Sequence, residues 1–326
     1  MSIPAFDSTA VSRLTRTDFE DAARSIAQDA VLTPMLPHFQ DGNFQGIHLK
    51  AENLQPLGSF KIRGAAHVAG QVGTMGSGRI ATASMGNFAQ GLALAARRRG
   101  LGLTVHVPEN AARIKVAALH RLGANVVEHS FDAWWQIMAT RDTGADDGLF
   151  VHPVCEQAVI AGNGSIGLEI AAQLPDVATV VVPFGGGGLV CGIALALRAC
   201  GHRARVVAVE VETAAPLAAA RSHGEPTDVA RQTSFVDGIG STRVLAPMWP
   251  LLNALVDEVA VVTLDEVRAA MRAAMLGNHL LIEGAAGAAL AAAARWSGSS
   301  SVCAVISGGN IDPDVHAAEV RALGGA

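Results

Sequence analysis

Lysine is nearly missing from this chain. Lys50, Lys61 and Lys115 are the only three among 24 basic side chains, and arginine supplies the rest. With a net charge of −5 and no basic tract, nucleic acid is not an expected partner. No stretch of about 18 uninterrupted apolar residues occurs, so no membrane span is expected. Met1-Ser2-Ile3-Pro4 lacks the cationic and apolar segments of a secretory signal, which predicts a cytoplasmic protein. Cys155, Cys191, Cys200 and Cys303 have no metal-like spacing and read as reduced, packed thiols. The 11 histidines form no His-x-x-x-His pair of zinc type, and no metal site is expected. Charged residues make up 16% of the chain and hydrophobic ones 50%, as expected where strands are covered on both faces.

Against this scarcity, Lys61 stands out within Gly58-Ser59-Phe60-Lys61-Ile62-Arg63-Gly64. An isolated lysine is ordinarily a solvated surface charge. Here arginine serves wherever a plain cation is wanted, so charge alone explains Lys61 poorly. Lysine, unlike arginine, loses its proton when desolvated or placed near another cation. Its neutral amine attacks an aldehyde to form a Schiff base. Arg63, close in sequence, is a candidate for lowering the amine pKa. Lys61 is therefore a candidate attachment point for pyridoxal phosphate.

The segment Thr179-Val180-Val181-Val182-Pro183 reads as a buried strand, and an apolar helix follows through Leu197. Gly185, Gly186, Gly187 and Gly188 lie between them, followed by Leu189. Such a turn leaves amides open beside the positive end of a helix, which suits a phosphate. A plain tight turn would need fewer glycines. A dinucleotide reading is also open, giving a non-enzymatic sensor, with Glu210 placed where a ribose-binding acid would fall. Val190 breaks that fingerprint, and the lysine segment then has no role. A third strand–turn–helix runs through Thr82-Ala83-Ser84-Met85-Gly86-Asn87-Phe88, whose donors suit a small anion or an ordinary helix cap.

These segments, in this order, resemble the fold-type II pyridoxal-phosphate enzymes, specifically the threonine/serine dehydratase and serine racemase family. The resemblance runs from Thr33-Pro34 to Ser307-Gly308-Gly309-Asn310. It also takes in Lys50-Ala51-Glu52-Asn53-Leu54, Val159 through Glu169, and Glu283-Gly284-Ala285-Ala286-Gly287. It implies two open, twisted α/β lobes of the tryptophan synthase β-like kind, with the active site in the cleft between them. The lobes are expected at 1–74 with 152–326 (large, cofactor-binding) and 75–151 (small, mobile). A homodimer is implied as well.

The resemblance also implies roles. Lys61 would hold the cofactor and act as the base at Cα. Phe60 would pack on the ring, and Asn87 would bond its 3-hydroxyl. Gly185, Gly186, Gly187, Gly188 and Leu189 would hold the phosphate, and Ser307 would face the pyridine nitrogen. Glu283 is expected among the cofactor-binding residues. Ser84, with Met85, Gly86, Asn87 and Phe88, would bind the substrate, its carboxylate resting on Ser84 and neighbouring amides. A hydroxyl partner leaves the cofactor a weaker electron sink than a carboxylate would, which favours expulsion of a β-substituent. The implied reaction is β-elimination from a threonine- or serine-type β-hydroxy amino acid, giving a 2-oxo acid and ammonia. A racemase, or a lyase on another β-substituted amino acid such as 3-hydroxyaspartate, is the alternative.

Departures from the family pattern bear on this choice. Met85 replaces a second serine that racemases use on the opposite ring face, and a thioether cannot transfer a proton. Pro216 replaces an acid expected to complete a divalent-cation site with Glu210 and Ala214. Phe88 stands where relatives often carry histidine, and Val154 where some carry a polar group. His152 is expected near the cofactor or in a structural role. Nothing corresponding to an allosteric tail is expected after Ala326.

Capping boxes are expected at Thr17-Asp18-Phe19-Glu20 and Thr263-Leu264-Asp265-Glu266. Strands are expected at 79–84, 103–107 and 302–306. Asn110 is expected to cap a helix ending before Gly123. The segments 73–78 and 142–148 are expected to connect the lobes, and Ala285 to Trp296 reads as a tightly packed helix.

Overall fold

A computed structural model describes residues 6–40, 42–84, 86–109, 111, 113–298 and 301–321. The chain begins with helices α1 (Ser8–Ser12) and α2 (Arg16–Ser25), then the antiparallel pair β1 (Met35–Gln40) and β2 (Asn43–Lys50). Helix α3 (Lys61–Thr74) leads through 75–78 into β3 (Arg79–Ala83), α4 (Asn87–Arg98) and β4 (Gly102–Pro108). There follow α5 (Arg113–Arg121), β5 (Asn125–His129), α6 (Phe131–Thr140) and β6 (Leu149–Phe150). The long α7 (Gln157–Gln173) precedes β7 (Thr179–Pro183), α8 (Gly188–Ala199), β8 (Arg205–Val211) and α9 (Pro216–His223). The rest comprises α10 (Trp249–Leu255), β9 (Glu258–Val262), α11 (Leu264–Asn278), α12 (Gly284–Ala293), β10 (Val302–Val305) and α13 (Pro313–Arg321).

Among the described residues two sheets form. One has six strands in the order β1-β2-β10-β7-β8-β9, and the other four in the order β5-β4-β3-β6. Apart from the β1–β2 pair, every pairing is parallel. Parallel strands need crossovers, and helices supply them, so both faces of the larger sheet are covered. That is why β7 and β10 are buried at every position instead of alternating. One apolar core lies on the α7–α8 side of the six-stranded sheet and another on the α11–α12 side. A third joins α3 and α4 to the smaller sheet.

Helices α7 and α8 approach unusually closely. A Cβ on Gly192 would lie 2.6 Å from Ile160 O, and one on Gly167 would lie 2.8 Å from Ile193 O and from Ala196 Cβ. Any larger residue there would push the two backbones apart.

The second predicted capping box holds: Thr263 receives the Glu266 N–H, and Glu266 receives that of Thr263. The first lies two residues earlier than predicted. Thr15 is extended and caps α2 with Asp18, whereas Glu20 pairs with Arg16 at 2.7 Å. Asn110 lies outside the described residues, and Gly123 sits at φ 86° just beyond α5. The 142–148 stretch joins α6 to β6, which pairs with β3, so it does not lead out of the smaller sheet. The alanine-rich segment forms α12 and a final 3-10 turn, Ala294–Trp296.

Candidate active site

Strands β7 and β10 run parallel and end on the same side of the sheet, delivering the glycine turn and Ser307 to one edge. The C-terminal edge of a parallel sheet is where such folds bind ligands. A cavity of about 420 Å³ opens there, bounded on its other side by the end of β3 and the start of α4. Its walls include Phe60, Lys61, Ser84, Gly86, Asn87, Phe88, Gly185, Gly186, Gly187, Gly188, Leu189, Glu283 and Ser307. Met85 lies outside the described residues.

Lys61 is the first residue of α3 and is positioned by backbone. The Phe60 N–H donates to Ser307 O at 3.0 Å, and Gly309 N–H donates to Gly58 O at 2.9 Å. Ser59 and Gly308 form an isolated antiparallel bridge. The segment before the lysine is thereby fastened to the segment after β10. Among the described residues the Lys61 amine has no hydrogen-bond or ion-pair partner, and it lies 5.7 Å from the Phe60 ring centre. Burial holds its pKa below the ordinary lysine value, against the opposing pull of the Glu283 charge.

Arg63 does not depress that pKa. It is buried, and its guanidinium is spent on Glu52 (2.7 and 2.8 Å) and Glu169 (2.6 and 2.9 Å), with Ser165 at 3.0 Å. Lys50 joins the same network, donating to Glu169 at 2.5 Å and to Thr33 O at 2.8 Å. Two of the three lysines singled out by their rarity thus have opposite fates: Lys50 is ion-paired and Lys61 is free.

The glycine turn forms an anion cradle. Gly187 adopts φ 100°, a conformation costly for any residue with a Cβ. The first amide to return along α8 is that of Cys191, to Gly187 O at 3.0 Å. The amides of the first turn are left facing outward at the positive end of the helix dipole. A Cβ on Gly186 would lie 2.5 Å from Val154 Cγ2, so the turn packs tightly against Val154, itself a wall residue. Asn163, on α7, lines the same cavity with a buried Oδ1 that has no hydrogen-bond partner among the described residues.

Asn87 begins α4 and is tethered at both ends of its amide. Its Nδ2 donates to Glu283 Oε2 at 3.3 Å, and its Oδ1 accepts from Asn310 Nδ2 at 3.0 Å. Asn310 Nδ2 also donates to Leu57 O at 2.5 Å. Glu283 is buried; desolvation and then the charge of Asp237 push its pKa up to about 7. Gly308 leaves room for it, since a Cβ there would lie 2.6 Å from Glu283 Oε1.

The Ser84 N–H donates to His106 O at 3.2 Å. That amide is therefore not available to a substrate carboxylate, and what Ser84 offers the cavity is its hydroxyl. His106 O also accepts from Trp134 Nε1 at 3.1 Å, and Trp134 is a further wall residue, whereas Trp135 is exposed. His152 is structural: its Nδ1 accepts from Val154 N (3.0 Å) and Cys155 N (2.9 Å), shaping the turn that supports Gly186. Burial, followed by the charge of Arg141, lowers its pKa to about 3, so it is neutral. Glu210 accepts from Leu217 N (2.7 Å) and Ala218 N (2.8 Å) at the start of α9, and is thereby committed to a helix end.

Lys115, Asp237, Arg231, Asn163 and Asn310 also line the cavity. Sequence reasoning did not select Lys115, Arg231, Asn163 or Asn310 as site residues, though Asn310 and Asn163 lie within segments that carried the resemblance; Asp237 belongs to the 235–240 loop, which the sequence places at the substrate pocket together with Met85, Phe88 and Val154. An unpaired amine, a cradle of open amides and a buried serine hydroxyl around one cavity fit pyridoxal phosphate, with Lys61, the Gly185–Leu189 turn and Ser307 as the groups that would hold it.

Comparison with known proteins agrees. Residues 26–308 match the family described as pyridoxal-phosphate dependent enzyme. The chain is 38% identical over 284 residues to an L-threonine ammonia-lyase of Geobacter sulfurreducens, covering 84% of this chain and 70% of that one. It is 35% identical over 309 residues to serine racemase of Rattus norvegicus, covering 90% and 92%. The structure superposes on the processed form of threonine deaminase isoform 2 from Solanum lycopersicum with a TM-score of 0.85 and 26% identity, covering 99% of this chain and 97% of that one. Sequence, cavity and likeness converge: the chain belongs to the pyridoxal-phosphate-dependent enzymes, in their fold-type II group.

Proposed function

We propose that the protein is an ammonia-lyase that removes water and then ammonia from a β-hydroxy amino acid of the threonine or serine type. The observation that carries this reading is the unpaired, desolvated amine of Lys61 in one cavity with the glycine turn and Ser307. Relatives named as threonine ammonia-lyases support the substrate class.

Bound pyridoxal phosphate supplies the electron withdrawal that makes the substrate Cα–H acidic. Lys61 would hold the cofactor through its amine and, once freed, would take the Cα proton; burial lowers its pKa, which favours the neutral amine that this needs. The first-turn amides of α4 and the Ser84 hydroxyl hold the substrate carboxylate. Asn87, fixed between Glu283 and Asn310, would present its amide to the cofactor's 3-hydroxyl. The Ser307 hydroxyl would face the ring nitrogen, and a hydroxyl there would not force its protonation. Phe60 would pack on the ring, and the Gly185–Leu189 amides would bind the phosphate. Met85 supplies no second proton donor, which disfavours racemisation.

The smaller-sheet region, 75–151, acts as a mobile lobe closing on 1–74 and 152–326. The assembled state is a homodimer; the exposed Phe39 and Phe44 of the β1–β2 hairpin and Leu276 of α11 support an apolar contact surface. The protein works in the cytoplasm; among the described residues no helix is long and apolar enough to cross a membrane.

Incubation with L-threonine, L-serine and 3-hydroxyaspartate, with 2-oxo acid and ammonia measured together, tests the reaction. Stoichiometric release of both is expected. Enantiomer interconversion without ammonia would replace the lyase by a racemase.

A further inference from the structure

The cavity that Phe88, Val154, Trp134, Met138 and Ile239 make largely apolar also carries an uncommitted cation at its mouth. Three basic side chains line it: Lys61, Lys115 and Arg231. Lys61 serves the cofactor in the proposed reaction. Lys115 is neutralised by Asp237 at 2.6 Å. Arg231 is exposed and has no hydrogen-bond or ion-pair partner among the described residues. The acid nearest it in sequence, Asp228, is taken by Arg243 at 2.8 Å.

The loop carrying Arg231 is held in place. Val229 N–H donates to Thr242 O and Gln232 N–H to Thr213 O, each at 2.9 Å, so backbone bonds fix the chain on both sides of the arginine. The Ser241 hydroxyl donates to Gly185 O at 3.1 Å, tying the far end of the same loop to the cradle. A guanidinium offers two parallel N–H groups, a geometry that a carboxylate matches. Held at the mouth and left unpaired, it is a receptor for an anion at the distal end of whatever occupies the cavity.

We propose that Arg231 is a specificity-determining residue that binds a carboxylate on the substrate side chain, so that among β-hydroxy amino acids of the serine type the site prefers one with an acidic side chain. This rests on the lyase reading of the same cavity. For such a substrate the Cα–H and Cβ–O bonds break and a Cα=Cβ bond forms. The proton and hydroxide leave as water. Tautomerisation and hydrolysis of the resulting imine then consume one water and release ammonia, so the net change is amino acid to 2-oxo diacid plus ammonia.

The test uses the holoenzyme and two readouts. Binding is read from the cofactor's visible absorption with L-aspartate and L-2-aminobutyrate, neither of which has a leaving group at Cβ. The wild type should bind L-aspartate more tightly, Arg231→Ala should abolish the preference by about tenfold, and Arg231→Lys should restore part of it. Turnover of 3-hydroxyaspartate should show the same loss, mainly in KM, with L-serine turnover and cofactor affinity unchanged. A wild type with no preference for L-aspartate overturns the proposal whether or not it is a lyase. Loss of cofactor affinity in Arg231→Ala would instead make the arginine a phosphate counter-ion, and the proposal would fail. Preserved L-aspartate preference in an enzyme that releases no 2-oxo acid would sink the lyase reading alone.

Discussion

Lys115 Nζ and Asp237 Oδ2 lie 2.6 Å apart, joining α5 beside the smaller sheet to the loop in front of the glycine turn. The ion pair crosses the mouth of the cavity, so it belongs to closure more than to the core. Exposed pairs contribute about 0–1 kcal/mol. Replacing either residue by alanine should leave the thermal midpoint nearly unchanged while raising KM several-fold, and added salt should raise the wild-type KM in the same direction. A large drop in the midpoint would show that the pair is structural.

Lys61→Ala should remove the visible absorption of the bound cofactor and the activity together. Borohydride reduction of the wild type, followed by peptide mass spectrometry, should place the cofactor adduct on the Ser59–Arg63 segment. An adduct at Lys50 or Lys115 would contradict the assignment.

Gly186→Ala introduces a Cβ 2.5 Å from Val154 Cγ2. The turn or Val154 must then shift, and cofactor affinity should fall about tenfold or more as the amide geometry is lost. Adding Val154→Ala should restore part of that affinity. Absence of rescue would locate the damage elsewhere than in the Val154 contact.

Glu169→Gln leaves Arg63 and Lys50 short of a counter-charge in a buried network. Breaking such a pair costs about 3–5 kcal/mol, and denaturant unfolding should show it. The cofactor spectrum of the folded variant should be unchanged, because Arg63 points into this network and not at the amine.

Much of this molecule was legible from local pattern. Strand–turn–helix units announce themselves through β-branched runs followed by glycine or a cap, and both the β7–α8 and β3–α4 units, proposed to seat the phosphate and the carboxylate, are of this kind. The tethers were not legible. Arg63 and Glu169 are 106 positions apart, and Asn87 and Asn310 are 223 apart. Their meeting depends on how α7 and β10 are brought against α3. The partner of the Ser84 amide was not legible for the same reason, since its acceptor sits on the neighbouring strand β4. Arg231 lies in a loop with no periodicity, and only its position at the cavity mouth gives it meaning.

Glu283 carries a pKa raised to about 7, so the folded protein holds an extra proton there that the unfolded chain releases near 4.5. The sign follows: this contribution to stability is full at pH below 4.5 and is lost as pH rises through about 7. The stability of the cofactor-free wild type relative to Glu283→Gln should therefore be greater at pH 5 than at pH 8, by on the order of 1–3 kcal/mol. A pH-independent difference would show that Glu283 is ionised throughout.

The backbone contact between α7 and α8 has a consequence for how sequences of this kind can vary. Gly167 and Gly192 sit away from the reacting atoms, yet their bare α-carbons set the spacing of the two helices that carry Asn163 and the open amides. Selection or directed evolution acting on new substrates should find the loop around Arg231 permissive and these buried crossings nearly immovable, so that novelty accumulates at the entrance while the seat for the cofactor keeps its shape.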